Sequence, residues 1–110
     1  MGRSTLDVQT SDDGSVIVSA QGVVGADDAV ELRQLLVHAV RKLRPLRLVV
    51  DLADVVTLDP INLGTLAAAC GLGDDHQVAV FLDNPSSALA ADLAAAGVPR
   101  QRLRSTGGKP

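Results

Sequence analysis

One segment, residues 48–66, decides the fold; it reads LVVDLADVVTLDPINLGTL. The almost entirely apolar run at 47–52 is typical of a central strand with both faces covered. Asp59 is a good helix N-cap, and proline is favoured at the first helical position, so a helix is predicted to begin at Pro60. Residues 53–58 are predicted to connect the two elements. The segment therefore predicts a strand followed directly by a helix.

The rest of the chain repeats this alternation on both sides of the segment. Upstream, an Asp-Gly pair at 13–14 predicts a hairpin between two short strands, and Gly22–Gly25 are predicted to break the second strand. Strands are predicted at 6–10, 16–20 and 78–82, and a last short strand or turn at 98–103. A long first helix is predicted to be capped by Asp27 or Asp28 and ended by Pro45. The helix from Pro60 is predicted to end at Gly71 and Gly73, and a third helix is predicted at 87–96.

The order β-β-α-β-α-β-α predicts an α/β fold. Its sheet is expected to be mixed, with a parallel centre and with helices packed on it. A chain of 110 residues fits one domain, which we place at residues 1–104, with a flexible tail at 105–110.

Composition excludes several classes of function. Apolar residues make up 46% of the chain and aromatic residues 1%, and the net charge is −3. These values argue against nucleic-acid binding, which favours basic faces and stacking side chains. The sequence contains no apolar run long enough for a membrane helix, and residues 1–13 do not form a signal peptide, so no membrane insertion and a cytoplasmic location are expected.

Residues that could carry chemistry are scattered along the chain. His38 and His76 lack ligand-like spacing, so no metal site is expected. Cys70 lies among apolar residues of a predicted helix and is interpreted as a core residue rather than a nucleophile. Gly22–Gly25 lack the Lys-Ser/Thr of a phosphate-binding loop. No cofactor and no catalytic residue are predicted.

Two charged clusters, one acidic and one basic, are further candidate sites. The pair Asp12-Asp13, with Asp51 after a later strand, invites comparison with phosphoacceptor receiver domains, but the pair leads into a strand where those domains have a helix. Arg100, Arg102 and Arg104 form a basic cluster, interpreted as a solvated edge or as a contact for an acidic partner.

The segment at 48–66 resembles the central signature of STAS domains, the family of anti-sigma-factor antagonists. That signature is an apolar strand ending in Asp-Leu, a Val-Thr connection, and then Asp-Ser-Ser-Gly-Leu opening a helix. The order of elements over residues 5–104 is also similar to that family. In the family the second serine is phosphorylated by a partner kinase that is itself an anti-sigma factor. The added charge at the helix N-terminus blocks binding.

This sequence departs from the signature at the switch. Asp59 matches the aspartate, whereas Pro60 and Ile61 stand at the two serines and Asn62 stands at the glycine. Gly25 stands where an acidic residue usually follows the second strand. Because isoleucine has no hydroxyl group, no phosphorylation is expected at position 61.

The resemblance implies a non-enzymatic binding module without a phosphoserine switch. Its implied partner is a protein, an anti-sigma factor of the serine-kinase type, contacted through Asp59, Pro60, Ile61 and Asn62. The same four residues also fit a simple helix start, and both interpretations stay open. The alternative functions are an accessory subunit of a membrane transport ATPase, and a weak nucleotide-binding sensor.

Overall fold

The computed structural model describes residues 5–106, which form a five-stranded sheet and three main helices. The strands are β1 (Thr5–Thr10), β2 (Ser15–Val24), β3 (Arg47–Leu58), β4 (Ala79–Asp83) and β5 (Leu103–Arg104), and the helices are α1 (Ala29–His38), α2 (Pro60–Asp75) and α3 (Ser87–Ala95). Short 3-10 turns at Ala26–Asp28 and Arg100–Arg102 precede α1 and β5, and a π-helical turn at Ala39–Leu43 prolongs α1.

The sheet has the order β1-β2-β3-β4-β5. β1 and β2 are antiparallel, as the Asp-Gly pair predicts, and Gly14 at the turn has a φ of +87°, which favours glycine. The other three pairings are parallel. The predicted α/β class, the mixed sheet with a parallel centre and the order of elements are confirmed, including the last short strand.

The helices cover one face of the sheet. Parallel crossovers are right-handed, and the strand order runs in one direction, so α1, α2 and α3 lie on the same side. α2 accordingly packs between α1 and α3. The core beneath them consists of leucine, valine and alanine side chains with Cys70, and no aromatic side chain is among its buried members in residues 5–106.

The opposite face of the sheet carries an apolar row across three strands. Ile17, Val49 and Phe81 are neighbours in the strand register. Val49 is 8% exposed although it is not part of the core cluster under the helices, and it lies between Ile17 and Phe81 in this row. The apolar run at 47–52 therefore reflects helices on one side and this row on the other.

Three predicted boundaries are wrong. β2 continues through Val24, and β3 continues through Leu58, because the ends of the two strands pair in parallel with register shifts. Glycine does not break β2, since the irregular pairing accommodates Gly22 at a φ of +82°. α2 likewise passes through both predicted terminal glycines and ends at Asp75.

The end of the described chain is held to the loop after β4. The backbone N–H of Thr106 donates to Oδ1 of Asn84 at 2.8 Å, and Nδ2 of Asn84 donates to the hydroxyl of Thr106 at 3.2 Å. The rest of the predicted tail, residues 107–110, lies outside the described residues, as do residues 1–4.

Candidate docking site

The start of α2 is fixed by Asp59. Its carboxylate Oδ1 accepts a hydrogen bond from the N–H of Ile61 at 3.0 Å, so Asp59 is the N-cap and Pro60 the first helical residue, as predicted. The N–H of Asp59 donates to the carbonyl of Val24 at 2.9 Å, which ties the end of β3 to the end of β2.

The first turn of α2 offers no free N–H to an anion. Pro60 has none, and the N–H of Ile61 bonds to the Asp59 carboxylate. The N–H groups of Asn62 and Leu63 both donate to the Asp59 carbonyl, at 2.8 and 3.2 Å. A helix N-terminus binds phosphate through free N–H groups. In this turn the N–H groups of Ile61, Asn62 and Leu63 are therefore all bonded to Asp59, which caps the helix with a carboxylate.

Exposed apolar side chains lie on this turn and on the ends of β2 and β3 that precede it. Ile61 is 54% exposed, Val56 73% and Val23 43%. Val56 is exposed because the register passes from Gly22–Val55 directly to Val23–Thr57, which leaves Val56 without a partner in β2. We call Val23, Val56, Pro60 and Ile61 the docking patch. Such a cluster at one end of a sheet is typical of a protein contact surface.

Asn62 has a different role from its neighbours. Its side chain is fully buried, and Nδ2 donates to the carbonyls of Val24 at 3.2 Å and Gly25 at 2.8 Å. Oδ1 is also buried and has no hydrogen-bond partner. Of the four residues expected to meet a partner, Asp59, Pro60 and Ile61 reach the surface, whereas Asn62 contacts the chain's own backbone and positions the patch.

The turn that Asn62 binds is stabilised from its other side. The carboxylate of Asp28 accepts a hydrogen bond from the N–H of Gly25 at 3.0 Å. Gly25 is thus the N-cap of the 3-10 turn before α1, and Asp28 reaches back to it rather than capping α1 forwards as predicted. This leaves the Gly25 carbonyl directed at the Asn62 amide.

A groove of about 880 Å³ runs between α1 and α2 and begins at Ile61. Small residues of α2, Gly64, Ala68 and Gly71, form one wall, and Arg33 and Arg41 line the other. We call this the α1/α2 groove. The groove was not predicted from the sequence. The spacing of the three small residues, four and then three positions apart, does place them on one helix face and could have indicated it.

No family model matches the chain, and no curated protein matches its sequence. Among solved structures, the phosphorylated form of the Bacillus cell fate determinant SpoIIAA superposes with a TM-score of 0.79 at 10% identity, over 94% of this chain and 93% of that one. A variant of RsbS from Moorella thermoacetica gives 0.76 at 15% identity, over 92% and 85%. An anti-sigma factor antagonist from Mycobacterium paratuberculosis gives 0.70 at 28% identity, over 96% and 89%.

The chain has the STAS fold. The resemblance in the segment at 48–66 is therefore matched by the whole architecture, in which β3 and α2 are the central strand and the helix beside it. Within residues 5–106, none of the helices combines the length and the apolarity needed to cross a membrane.

The other candidate residues of this STAS fold are dispersed. His38 is exposed, and Nδ1 of His76 lies 3.0 Å from the carbonyl of Leu72 in its own helix. Cys70 is buried in the core, and burial raises the pKa of its thiol. In the part of the chain that the structure describes, no three His, Cys, Asp or Glu residues are grouped to hold a metal ion.

Two of the three C-terminal arginines are held by the fold rather than solvated. Arg104 makes a two-fold hydrogen bond to Asp83, at 2.8 and 2.9 Å, and its guanidinium lies 4.1 Å from the centre of the Phe81 ring. Arg102 pairs with Asp74 at 2.7 Å. The Phe81 ring is thereby covered by arginine and is not free to stack on a nucleotide base.

Proposed function

We propose that the protein is a non-enzymatic regulatory module that binds an anti-sigma factor of the serine-kinase type in the cytoplasm and has no phosphoserine switch at α2. The observation that carries the proposal is Ile61. It is 54% exposed on the first turn of α2, the helix whose start the family signature covers, and it belongs to the docking patch. Partially exposed apolar side chains in such a position are good anchors for a protein contact.

The absence of a switch is supported by two independent features. Ile61 lacks a hydroxyl group at the position where the resemblance places the phosphorylated serine. In addition, Pro60 stands at the first serine of the signature and has no N–H, so the first turn of α2 has one donor fewer for a phosphate. The two features together favour a module that binds its partner constitutively.

The nearby hydroxyl groups do not substitute for the missing serine. The Thr65 hydroxyl donates to the carbonyl of Ile61 at 3.1 Å, within the helix. Thr57 is exposed but lies in β3, before the cap, so its hydroxyl is outside the first turn of α2.

Phosphate incorporation tests the proposal. The purified protein is incubated with ATP and each kinase-type anti-sigma factor encoded by the same organism, and the peptide covering residues 57–65 is analysed by mass spectrometry. We expect a stable complex with one of these proteins and no phosphate in the peptide. Phosphate at 57–65, or no complex with any of them, would refute the proposal. A serine-containing antagonist of the same organism serves as the positive control for kinase activity.

A further inference from the structure

The glycines of the α1/α2 groove have no role in the packing of the chain itself. A Cβ atom placed on Gly64 or Gly71 would meet no atom within 4 Å. Glycine in a helix interior lowers helix stability relative to alanine. Together with Ala68 these residues keep one wall of the groove low, which lets another backbone approach α2 closely.

The opposite wall carries unused positive charge. Arg33 and Arg41 are exposed, and neither has an ion pair among residues 5–106. Arg33 lies on α1 and Arg41 on the π-helical turn that prolongs it, with Val37 between them, at a separation of roughly 12 Å for about 1.5 Å per residue. Asp75 at the end of α2 also lines the groove, so the lining carries two cations and one carboxylate and is net positive in a chain whose net charge is −3.

The floor between the two walls is apolar. Leu36 from α1 and Ala69 from α2 form it, and both are buried. The groove thus combines an apolar floor, a low wall of small residues and a cationic wall, and it follows two helices that run in the same direction. This is the arrangement that receives an amphipathic helix from a second protein.

We propose that the α1/α2 groove binds an acidic amphipathic helix of a partner protein. The apolar face of that helix lies on Leu36 and Ala69, and two of its carboxylates, about two turns apart, pair with Arg33 and Arg41. This goes beyond the proposed function, because the groove shares only Ile61 with the docking patch.

Selection from a displayed library tests this without any anti-sigma factor. Helical peptides of about 18 residues, with all exposed positions randomised, are selected on the wild-type protein. We expect enriched peptides with an apolar stripe and two acidic residues about two turns apart, and amide chemical-shift changes at Gly64 and Gly71 on binding. Absence of enriched peptides, peptides without acidic pairs, or shifts mapping elsewhere would overturn the proposal.

Three variants identify the contacts. R33E/R41E reverses the cationic wall, Ala68→Leu fills the groove at an exposed helical position, and Arg100→Glu makes the same charge change outside it. The first two are expected to weaken peptide binding by about tenfold or more, and the third to leave it unchanged. Equal weakening by Arg100→Glu, or none by the first two, would contradict the assignment. A wild-type dimer that Ala68→Leu dissociates would assign the groove to a second copy and also overturn it.

Discussion

Asn62 joins the start of α2 to the end of β2. Its side-chain Nδ2 donates hydrogen bonds to the carbonyls of Val24 and Gly25, and the bond to Val24 is buried. The sequence predicts the helix start from Asp59 and Pro60, because capping is local chemistry. It does not predict the burial of Asn62, because the carbonyls it binds lie 37 and 38 residues away in sequence and meet it only when the sheet forms.

Asn62→Ala tests this linkage. The substitution removes the side-chain hydrogen bonds to the carbonyls of Val24 and Gly25, each of which keeps one backbone donor, and leaves a cavity at a fully buried position, so we expect the free energy of unfolding to fall by about 1–3 kcal/mol. Urea denaturation followed by circular dichroism measures it. Thr65→Ala, one turn further along the same helix, is the control and is expected to change stability by less than about 0.5 kcal/mol. Equal stabilities of the two variants would contradict the linkage.

Arg104 holds the last strand to the sheet through its guanidinium. Arg104→Lys keeps the charge but loses the fork to Asp83 and the flat contact with Phe81. We expect a loss of about 1–2 kcal/mol, moderated because the arginine side chain is 35% exposed. Arg100→Lys provides the matched control, since Arg100 is exposed. If the two lysine variants unfold at the same urea concentration, the fork contributes nothing.

The rate at which the Cys70 thiol reacts with a disulfide reagent tests whether this side chain is buried in the core. Because burial raises the pKa of its thiol, the protonated form predominates at pH 8, and the reactive thiolate is scarce and shielded. Native protein is expected to react with a disulfide reagent many times more slowly than protein in urea. Rapid reaction of native protein would contradict the interpretation of Cys70 as a core residue.

At the scale of helices and strands, the sequence predicts the elements that depend on local patterns and misses the boundaries that depend on distant pairing. The hairpin, the apolar strands and the capped helices are predicted correctly, since each depends on neighbours in sequence. The ends of β2 and β3 are not, because their extension depends on pairing with each other across the register shifts. That extension also sets the positions of Val23 and Val56, so two of the four residues of the docking patch were not predicted.

The three glycines of α2 should respond differently to alanine. Gly64→Ala and Gly71→Ala are each expected to raise the free energy of unfolding by about 0.5–1 kcal/mol, because the new methyl group meets open space. A Cβ on Gly73 would lie 2.5 Å from both the Val78 carbonyl and the Val80 side chain, so Gly73→Ala is expected to destabilise. Urea unfolding of the three variants measures this; the same sign for all three would contradict it.

We propose two contact surfaces on the whole molecule, which meet at Ile61. The docking patch lies at the carboxyl-terminal ends of β2 and β3, and the α1/α2 groove lies on the helical face. The apolar contact groups that we propose at both places are aliphatic, and in the groove Arg33 and Arg41 add charge. The sequence predicts the first surface through the four residues 59–62, whereas the second depends on how α1 packs beside α2, which local sequence patterns do not predict.

Affinity for the anti-sigma factor, measured by biolayer interferometry with and without prior incubation with ATP, tests the central claim most directly. The wild-type protein is compared with Ile61→Asp and with Leu46→Asp, a 67% exposed residue before the start of β3, away from the patch. We expect equal binding before and after ATP, a loss of about tenfold or more for Ile61→Asp, and no loss for Leu46→Asp. Undiminished binding of Ile61→Asp, or release of the wild-type protein by ATP, would contradict the account.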